Sequence, residues 1–169
     1  MKNMSRPGFI YSVEINGKRL PPKRNIITDE GLNYLNDASL TGGTPITDFY
    51  LLLFDSNYTP LGTEAYTTPG FVEYTGYTEA TRVLWDNAGT LNGEATNAAN
   101  PAQFSVANET ESPITIYGTA IVGGGSAPDT KGDIAGGGIL LSIGRFPFAQ
   151  LINPGNTIIS VTATHRMKR

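Results

Sequence analysis

The sequence predicts a mainly β protein: an antiparallel two-sheet sandwich, jelly-roll-like in topology, with one short helix near residues 28–40. Apolar and polar residues alternate in several short segments, as they do in half-buried strands. Loops rich in Gly, Pro, Asn and Asp separate these segments, and the 169 residues include 20 glycines and 11 prolines. Only one segment carries the start signals of a helix. These observations together indicate a sandwich.

The first predicted strand has the sequence GFIYSVEI, from Gly8 to Ile15. Its apolar residues occupy alternate positions and share one face: Phe9, Tyr11, Val13 and Ile15. The Asn16-Gly17 pair tolerates positive φ angles, which is typical of a tight hairpin turn. Pro21-Pro22 then ends the hairpin, because proline cannot donate a hydrogen bond to a neighbouring strand.

The predicted helix lies in the sequence NIITDEGLNYLNDASL. Thr28 has a side-chain oxygen that can cap the first turn. Asp29 and Glu30 place negative charge at the N-terminal end, where the helix dipole favours it. The sequence TGGTP, residues 41–45, stops the helix.

Further strands follow the helix. The sequence FYLLLF, residues 49–54, is apolar at every position and predicts a central strand that is buried on both faces. Alternation predicts additional strands at residues 81–85, 102–106, 114–122, 138–143 and 157–164. Thr81, Val83 and Trp85 share one face of their strand, so we expect Trp85, the only tryptophan, to be a core anchor.

Tyrosines and threonines precede that strand in the sequence EYTGYTEATRVLW, from Glu73 to Trp85. Tyr and Trp are enriched at protein interfaces, because one part of each ring is apolar and another part is polar. We therefore predict that Tyr74 and Tyr77 contact a neighbouring subunit. With Tyr66, they equally suit a platform on which a sugar ring stacks.

Charge divides the chain into three predicted parts: a basic N-terminal arm or hairpin (residues 1–24), a sandwich domain (25–165) and a basic tail (166–169). The two ends hold nine of the twelve basic residues and one acid, whereas the middle holds three basic residues and fourteen acids. Basic ends on an acidic body suit docking on an acidic surface, although solvated ends without a partner would show the same pattern.

The residue types argue against thiolate, metal, cofactor and acid/base sites. The chain has no cysteine, so it has no disulfide and no thiolate site, and His165 is its only histidine. We expect His165 to be a surface residue at a strand end, and we expect no metal and no cofactor. Glu73 and Glu79 are the one candidate acid/base pair, but exposed carboxylates are the ordinary condition of an acidic protein.

The remaining segments do not predict other ligand classes. The Gly-rich stretch from Gly123 to Gly138 lacks the phosphate-loop pattern and predicts a long mobile loop. Residues 49–54 are too few to cross a bilayer, so we expect no membrane partner. We also expect no nucleic acid, because the basic residues are not interleaved with aromatic strands.

Five segments carry a resemblance to a known family. In chain order they are NIITDEGLNYL, ITDFYLLLFD, FVEYTGYTEATRVLW, TIYGTAIVGG and NPGNTIISVTAT. Together they resemble the head decoration, or cement, proteins of tailed bacteriophages, over roughly residues 25–164. The basic hairpin before Asn25 and the tail after Thr164 lie outside the match. The resemblance implies a jelly-roll-like sandwich without catalytic residues.

The resemblance implies a non-enzymatic virion structural protein. Such a capsid decoration protein is made in the host bacterial cytoplasm, binds the outer surface of the head and stabilises contacts between major capsid protein subunits. Its expected partners are the major capsid protein and neighbouring copies of itself. One alternative is an adhesion module of the phage tail, neck or fibre that binds host glycan or protein. Another is an enzyme, such as a glycan hydrolase that uses Glu73 and Glu79.

The predicted partner-binding residues combine the basic ends with the two tyrosines. The basic residues would form one electrostatic docking face if the last strand lies near the hairpin. The predicted set is Lys18, Arg19, Lys23, Arg24, Tyr74, Tyr77, Arg166, Lys168 and Arg169.

Overall fold

The computed structural model describes residues 8–108 and 112–167. Twelve strands and one helical segment make up this part of the chain. The first elements are β1 (Gly8–Ile15), β2 (Lys18–Arg19), β3 (Lys23–Ile27), the helix α1 (Asp29–Asn36) and its π-helical continuation (Asp37–Thr41). The later strands are β4 (Phe49–Phe54), β5 (Glu73–Tyr74), β6 (Val83–Leu84), β7 (Thr90–Leu91), β8 (Glu94–Thr96), β9 (Ala102–Asn108), β10 (Ile114–Gly123), β11 (Ile139–Ile152) and β12 (Gly155–Arg166).

All twelve strands belong to one antiparallel sheet. Nine of them follow the order β5-β4-β10-β11-β3-β1-β12-β8-β7. Three further strands pair beside this path: β2 with β1, β6 with β4, and β9 with β12. The predicted antiparallel β class with one helix is therefore confirmed. The strands form one continuous sheet, and the division into two sheets stays a prediction.

The strand β3 connects the two halves of the sheet. Its first three residues pair with β1, and its last two, Ile26 and Ile27, pair with Ile143 and Ser142 of β11. Side chains from strands of both halves then meet in one core, for example Leu51 of β4 and Phe104 of β9. Strands that are far apart in the sheet order thus pack against each other.

Trp85 lies in this shared core and is 7% exposed. Its indole Nε1 donates a hydrogen bond to the carbonyl oxygen of Ala163 at 3.1 Å, and its ring packs edge-on against Phe9 with centroids 5.6 Å apart. A buried indole N–H needs such an acceptor. The prediction that Trp85 is a core anchor is confirmed.

The strand β4 is buried on both faces, as its continuous apolar sequence predicts. Leu51 and Leu53 point into the shared core, while Leu52 and Phe54 belong to a second apolar cluster. That cluster includes Tyr66 and Phe71 from the segment between β4 and β5. A loop therefore covers the outer face of β4.

The helix begins at Asp29, as expected. The Thr28 side chain caps it by accepting a hydrogen bond from the Gly31 N–H at 2.9 Å, and Gly42 (φ 80°) follows its last residue. The Glu30 carboxylate accepts the backbone N–H groups of Tyr66 and Leu140 at 2.8 and 2.7 Å. Gly31 packs so closely on β11 that a Cβ there would overlap the Leu141 carbonyl.

The N-terminal hairpin is part of the sheet. Asn16 (φ 48°) and Gly17 (φ 80°) form its turn, as predicted. However, β1 pairs with β12 along its whole length, and Phe9 is 1% exposed. The predicted domain boundary at residue 24 falls inside β3. Because the apolar face of β1 must be buried, residues 8–24 belong to the body and do not form a separate arm.

Candidate docking surface

Four of the predicted basic residues follow one edge of β1. Lys18 and Arg19 of β2 pair with Ile15 and Glu14, and Lys23 and Arg24 of β3 pair with Tyr11 and Ile10. Since β12 occupies the other edge of β1, all four lie on the same side of that strand. All four are exposed. They extend over about 17 Å, at roughly 3.4 Å per residue of β1.

Arg145 joins this row, although sequence reasoning did not select it. The pairing of Ile26 with Ile143 brings β3 beside β11, and a groove of about 160 Å³ opens between them. Lys23, Arg24 and Arg145 all line this groove. We call the five cations Lys18, Arg19, Lys23, Arg24 and Arg145 the basic strip.

The Arg145 guanidinium is held in place by neighbouring groups. Its Nη1 donates to the backbone oxygen of Tyr58 at 3.2 Å and to the Thr59 hydroxyl at 3.3 Å. The guanidinium also lies over the Tyr117 ring, 5.3 Å from its centroid. These contacts restrict the position of a positive charge on a residue that lines the groove.

Arg166 belongs to β12, which pairs with the opposite edge of β1 from the basic strip, and it lies beside Gly8. Arg24 and Arg166 nevertheless project from the same face of the sheet. The Arg24 side chain lies across Gly8. Arg166 forms an ion pair with Glu94, with 2.9 Å between Nε and Oε1. The predicted joining of the two ends therefore occurs at Gly8, but a carboxylate compensates Arg166. Lys168 and Arg169 lie outside the described residues.

Tyr74 and Tyr77 lie inside the molecule, with exposures of 8% and 3%. Tyr77 packs edge-on against Phe104 with centroids 5.0 Å apart, and burial raises the pKa of both phenols. The Lys131 ammonium lies 4.1 Å from the Tyr77 ring centroid. Neither ring is accessible to a partner, so we leave both out of the proposed docking surface. Tyr66, also 3% exposed, cannot form a surface platform with them.

Arg82 is buried and fastens the Gly-rich loop between β10 and β11. Its guanidinium binds the Glu73 carboxylate through Nε and Nη2, the shortest contact being 2.6 Å. It also donates to the Tyr66 hydroxyl and to the backbone oxygens of Pro128 and Asp133, at 3.1, 3.0 and 2.8 Å. Burial alone would lower the pKa of Arg82, but the contacts with Glu73 outweigh it and raise the pKa.

These contacts correct the expectation of a long mobile loop. Besides Arg82, Lys131 donates to the backbone oxygens of Thr75 and Tyr77 at 3.1 and 2.8 Å, and the Gly132 N–H donates to Glu73 at 2.9 Å. The loop is thus attached to the body at several points. Sequence spacing could not reveal this, because the partners lie about fifty residues apart.

Glu73 and Glu79, the candidate acid/base pair, both have structural contacts. Glu73 neutralises Arg82. Glu79 accepts the backbone N–H of Ser105 with both carboxylate oxygens, at 3.1 and 3.0 Å. This bond satisfies a donor on the outer edge of β9.

His165 is not the surface residue that the sequence predicted. Its ring packs against Phe9 with centroids 4.9 Å apart, and its buried Nε2 has no hydrogen-bond partner in the described part of the chain. Burial lowers the pKa of His165. Pairing with Phe9 on β1 explains this position, since Phe9 belongs to the core.

Among the described residues, no group of three or more His, Cys, Asp or Glu side chains is placed to hold a metal ion. Within the same residues, no helix is both long enough and apolar enough to cross a membrane. A comparison with known protein families finds no family model that matches the chain. A comparison with curated proteins finds no match either.

Proposed function

We propose that this protein is a non-enzymatic structural component of a bacteriophage virion, a decoration or cement protein that binds the outer surface of the head. The basic strip is the observation that carries this proposal. It places five cations from three strands along one side of an otherwise acidic body. Such an arrangement favours docking on an acidic protein surface.

The body has the rigid construction that a structural protein needs. We propose that its sheet folds back on itself as a jelly-roll-like sandwich, because β4 and β9 contribute to the same core. The two longest loop segments are fastened by buried carboxylates. Glu73 and Arg82 hold the Gly-rich loop, and Glu64 holds the loop after β4 through the Tyr58 hydroxyl and the N–H groups of Leu61 and Gly62, at 2.6–2.7 Å.

Docking would combine charge with apolar contact. Ile26, Leu61 and Phe148 are 37%, 73% and 70% exposed, and Ile26 itself lines the groove. Each exposed ion pair contributes only ~0.2–1 kcal/mol, so several must act together. Apolar burial would supply the remainder at about 25 cal/mol per Å². In this proposal the partners are the major capsid protein and neighbouring copies of the chain.

The proposal is tested by locating and counting the protein in purified particles. We expect a cryo-electron map to show the sandwich on the head surface, with the basic strip facing the coat. Quantitative mass spectrometry should give a copy number comparable to that of the coat subunit. Density confined to the tail, with a copy number that is a small fraction of the coat, would overturn the head assignment in favour of the adhesion module.

A further inference from the structure

We propose that the groove between β3 and β11 binds a carboxylate side chain of the protein partner. The inference rests on the proposed docking function and names the chemistry of its central contact. The groove is lined by Lys23, Arg24 and Arg145, and no carboxylate lines it within the described residues. The Arg24 guanidinium is directed over Gly8, so Lys23 and Arg145 are the cations that create a local positive potential at the groove, on a chain whose net charge is -3.

Arg145 is positioned to present its guanidinium to an anion. Both of its recorded side-chain hydrogen bonds use Nη1, whereas a guanidinium has five N–H donors. The stacking on Tyr117 restricts its orientation. A fixed planar donor suits a carboxylate, which accepts two parallel hydrogen bonds from one guanidinium.

Asn25 forms part of the groove wall. It lines the same groove, is only 9% exposed, and its Nδ2 has no hydrogen-bond partner in the described part of the chain. Its amide lies directly on Gly144, where a Cβ would overlap it. An unsatisfied buried donor destabilises a fold, and native structures contain few of them. The Nδ2 itself has almost no solvent-accessible surface, so the Asn25 amide signals report on the occupancy of the groove without a direct contact to the ligand.

The dimensions of the groove favour a single anionic group. About 160 Å³ is well below the roughly 300–1,000 Å³ of pockets that enclose whole small molecules. A long polyanion such as nucleic acid would also meet the acidic middle of the chain, which holds fourteen carboxylates and three basic residues. An isolated side-chain carboxylate avoids that repulsion.

Ile26, an exposed apolar residue in the groove lining, and Phe148, an exposed aromatic residue on the same strand as Arg145, favour a protein ligand. Phe148 follows Arg145 by three residues and lies in a bulge of β11, because Arg145 pairs with Gly118 while Gln150 pairs with Ile116. The Gln150 amide donates to the Phe148 carbonyl at 2.6 Å and supports this bulge. Cations next to an exposed aromatic ring are typical of protein interfaces. We therefore expect the partner carboxylate to have apolar neighbours.

The test is an NMR titration of the isolated, isotope-labelled protein with the capped peptide acetyl-Gly-Glu-Phe-Gly-amide. The matched probe contains Gln in place of Glu, and inorganic phosphate is a third probe. We expect saturable shifts of the Asn25 side-chain amide and the Arg145 Nε with the Glu peptide, and none with the Gln peptide. Shifts that are equal for both peptides, or that occur only with phosphate, would overturn the proposal.

Two variants separate the groove from general charge effects. Lys23→Gln and Arg145→Gln should each weaken binding of the Glu peptide by roughly 1.4- to 5-fold, the effect of losing one exposed ion pair. Lys18→Gln is the matched control, because Lys18 is in the basic strip but outside the groove. An equal effect of Lys18→Gln would contradict a defined site. Lys23→Gln keeps the test valid if Arg145→Gln perturbs folding.

The titration does not involve the capsid, so the two proposals can fail separately. If the protein binds the peptide but not the capsid, the proposed docking function is wrong and the carboxylate site in the groove is supported. Capsid binding without any peptide shift would remove the groove and leave the docking function.

Discussion

Arg82 and Arg145 are two of the three basic residues in the acidic middle of the chain, and the fold uses them in opposite ways. Arg82 is 3% exposed, faces Glu73 and donates to three further oxygens. Arg145 lines a groove that no described carboxylate lines. The availability of a cation for binding therefore depends on which strands meet around it, and not on its surroundings in the sequence.

The largest expected effect comes from removing the buried cation. Arg82→Met leaves Glu73, whose side chain is 7% exposed, without its counter-charge and releases the Gly-rich loop. Breaking a buried pair from one side lowers the free energy of unfolding by about 3–5 kcal/mol. Denaturant unfolding measures this change. The matched control is Arg145→Met, for which we expect a loss below about 1 kcal/mol, because its contacts are partly exposed.

The double variant Arg82→Met with Glu73→Leu tests whether the loss of stability comes from the unpaired carboxylate. Removing both charges leaves no uncompensated carboxylate, so much of the lost stability should return. Equal stability losses for Arg82→Met and Arg145→Met would show that the two arginines are not as different as their burial indicates.

A smaller effect is expected at Gly31, where α1 packs on β11, the strand that carries Arg145. Gly31→Ala places a methyl group against the Leu141 carbonyl and must push the helix outward. Such overpacking lowers the free energy of unfolding by about 1–3 kcal/mol. The control Asn33→Ala lies on an exposed position of the same helix and should have little effect. A stabilised Gly31→Ala protein would show that helix propensity outweighs the close contact.

The smallest effect concerns pH. Because burial holds the pKa of His165 below its ordinary 6.5, the unfolded chain binds a proton that the folded chain does not. Stability should therefore be constant above about pH 7.5 and decrease as the pH falls through 6.5 towards the folded pKa. Thermal unfolding across this range measures the trend, and His165→Asn should reduce its slope. An unchanged slope in His165→Asn would assign the pH dependence to other groups.

Much of the fold was predictable from local patterns. The alternation in β1, the Asn16-Gly17 turn and the Thr28 cap each depend on residues that are close in sequence, and each prediction is confirmed. Trp85 is buried as predicted, but its strand is only Val83–Leu84, and Thr81, which was predicted to share its face, is exposed. The sequence is sufficient to predict these features because neighbouring residues cause each of them.

The candidate site was only partly predictable. The row Lys18 to Arg24 is visible in the sequence, but Arg145 joins it through the pairing of β3 with β11. The burial of Tyr74 and Tyr77 depends on contacts with Phe104 and Lys131, which come from other parts of the chain. The attachment of the Gly-rich loop by Arg82 is equally non-local. No spacing rule encodes such contacts.

The proposed docking function is tested by measuring binding of the protein to capsids that were assembled without it. The key variant changes Lys18, Arg19, Lys23 and Arg24 to Gln, because deletion of residues 8–24 would remove β1 from the sheet. We expect binding to weaken by about 0.8–4 kcal/mol, roughly fourfold to several hundredfold, and to lose most of its salt dependence. Arg166→Gln, compared with Lys23→Gln, controls for net charge outside the basic strip, because Glu94 already compensates this exposed arginine. Unchanged affinity and unchanged salt dependence in the fourfold variant would contradict the account.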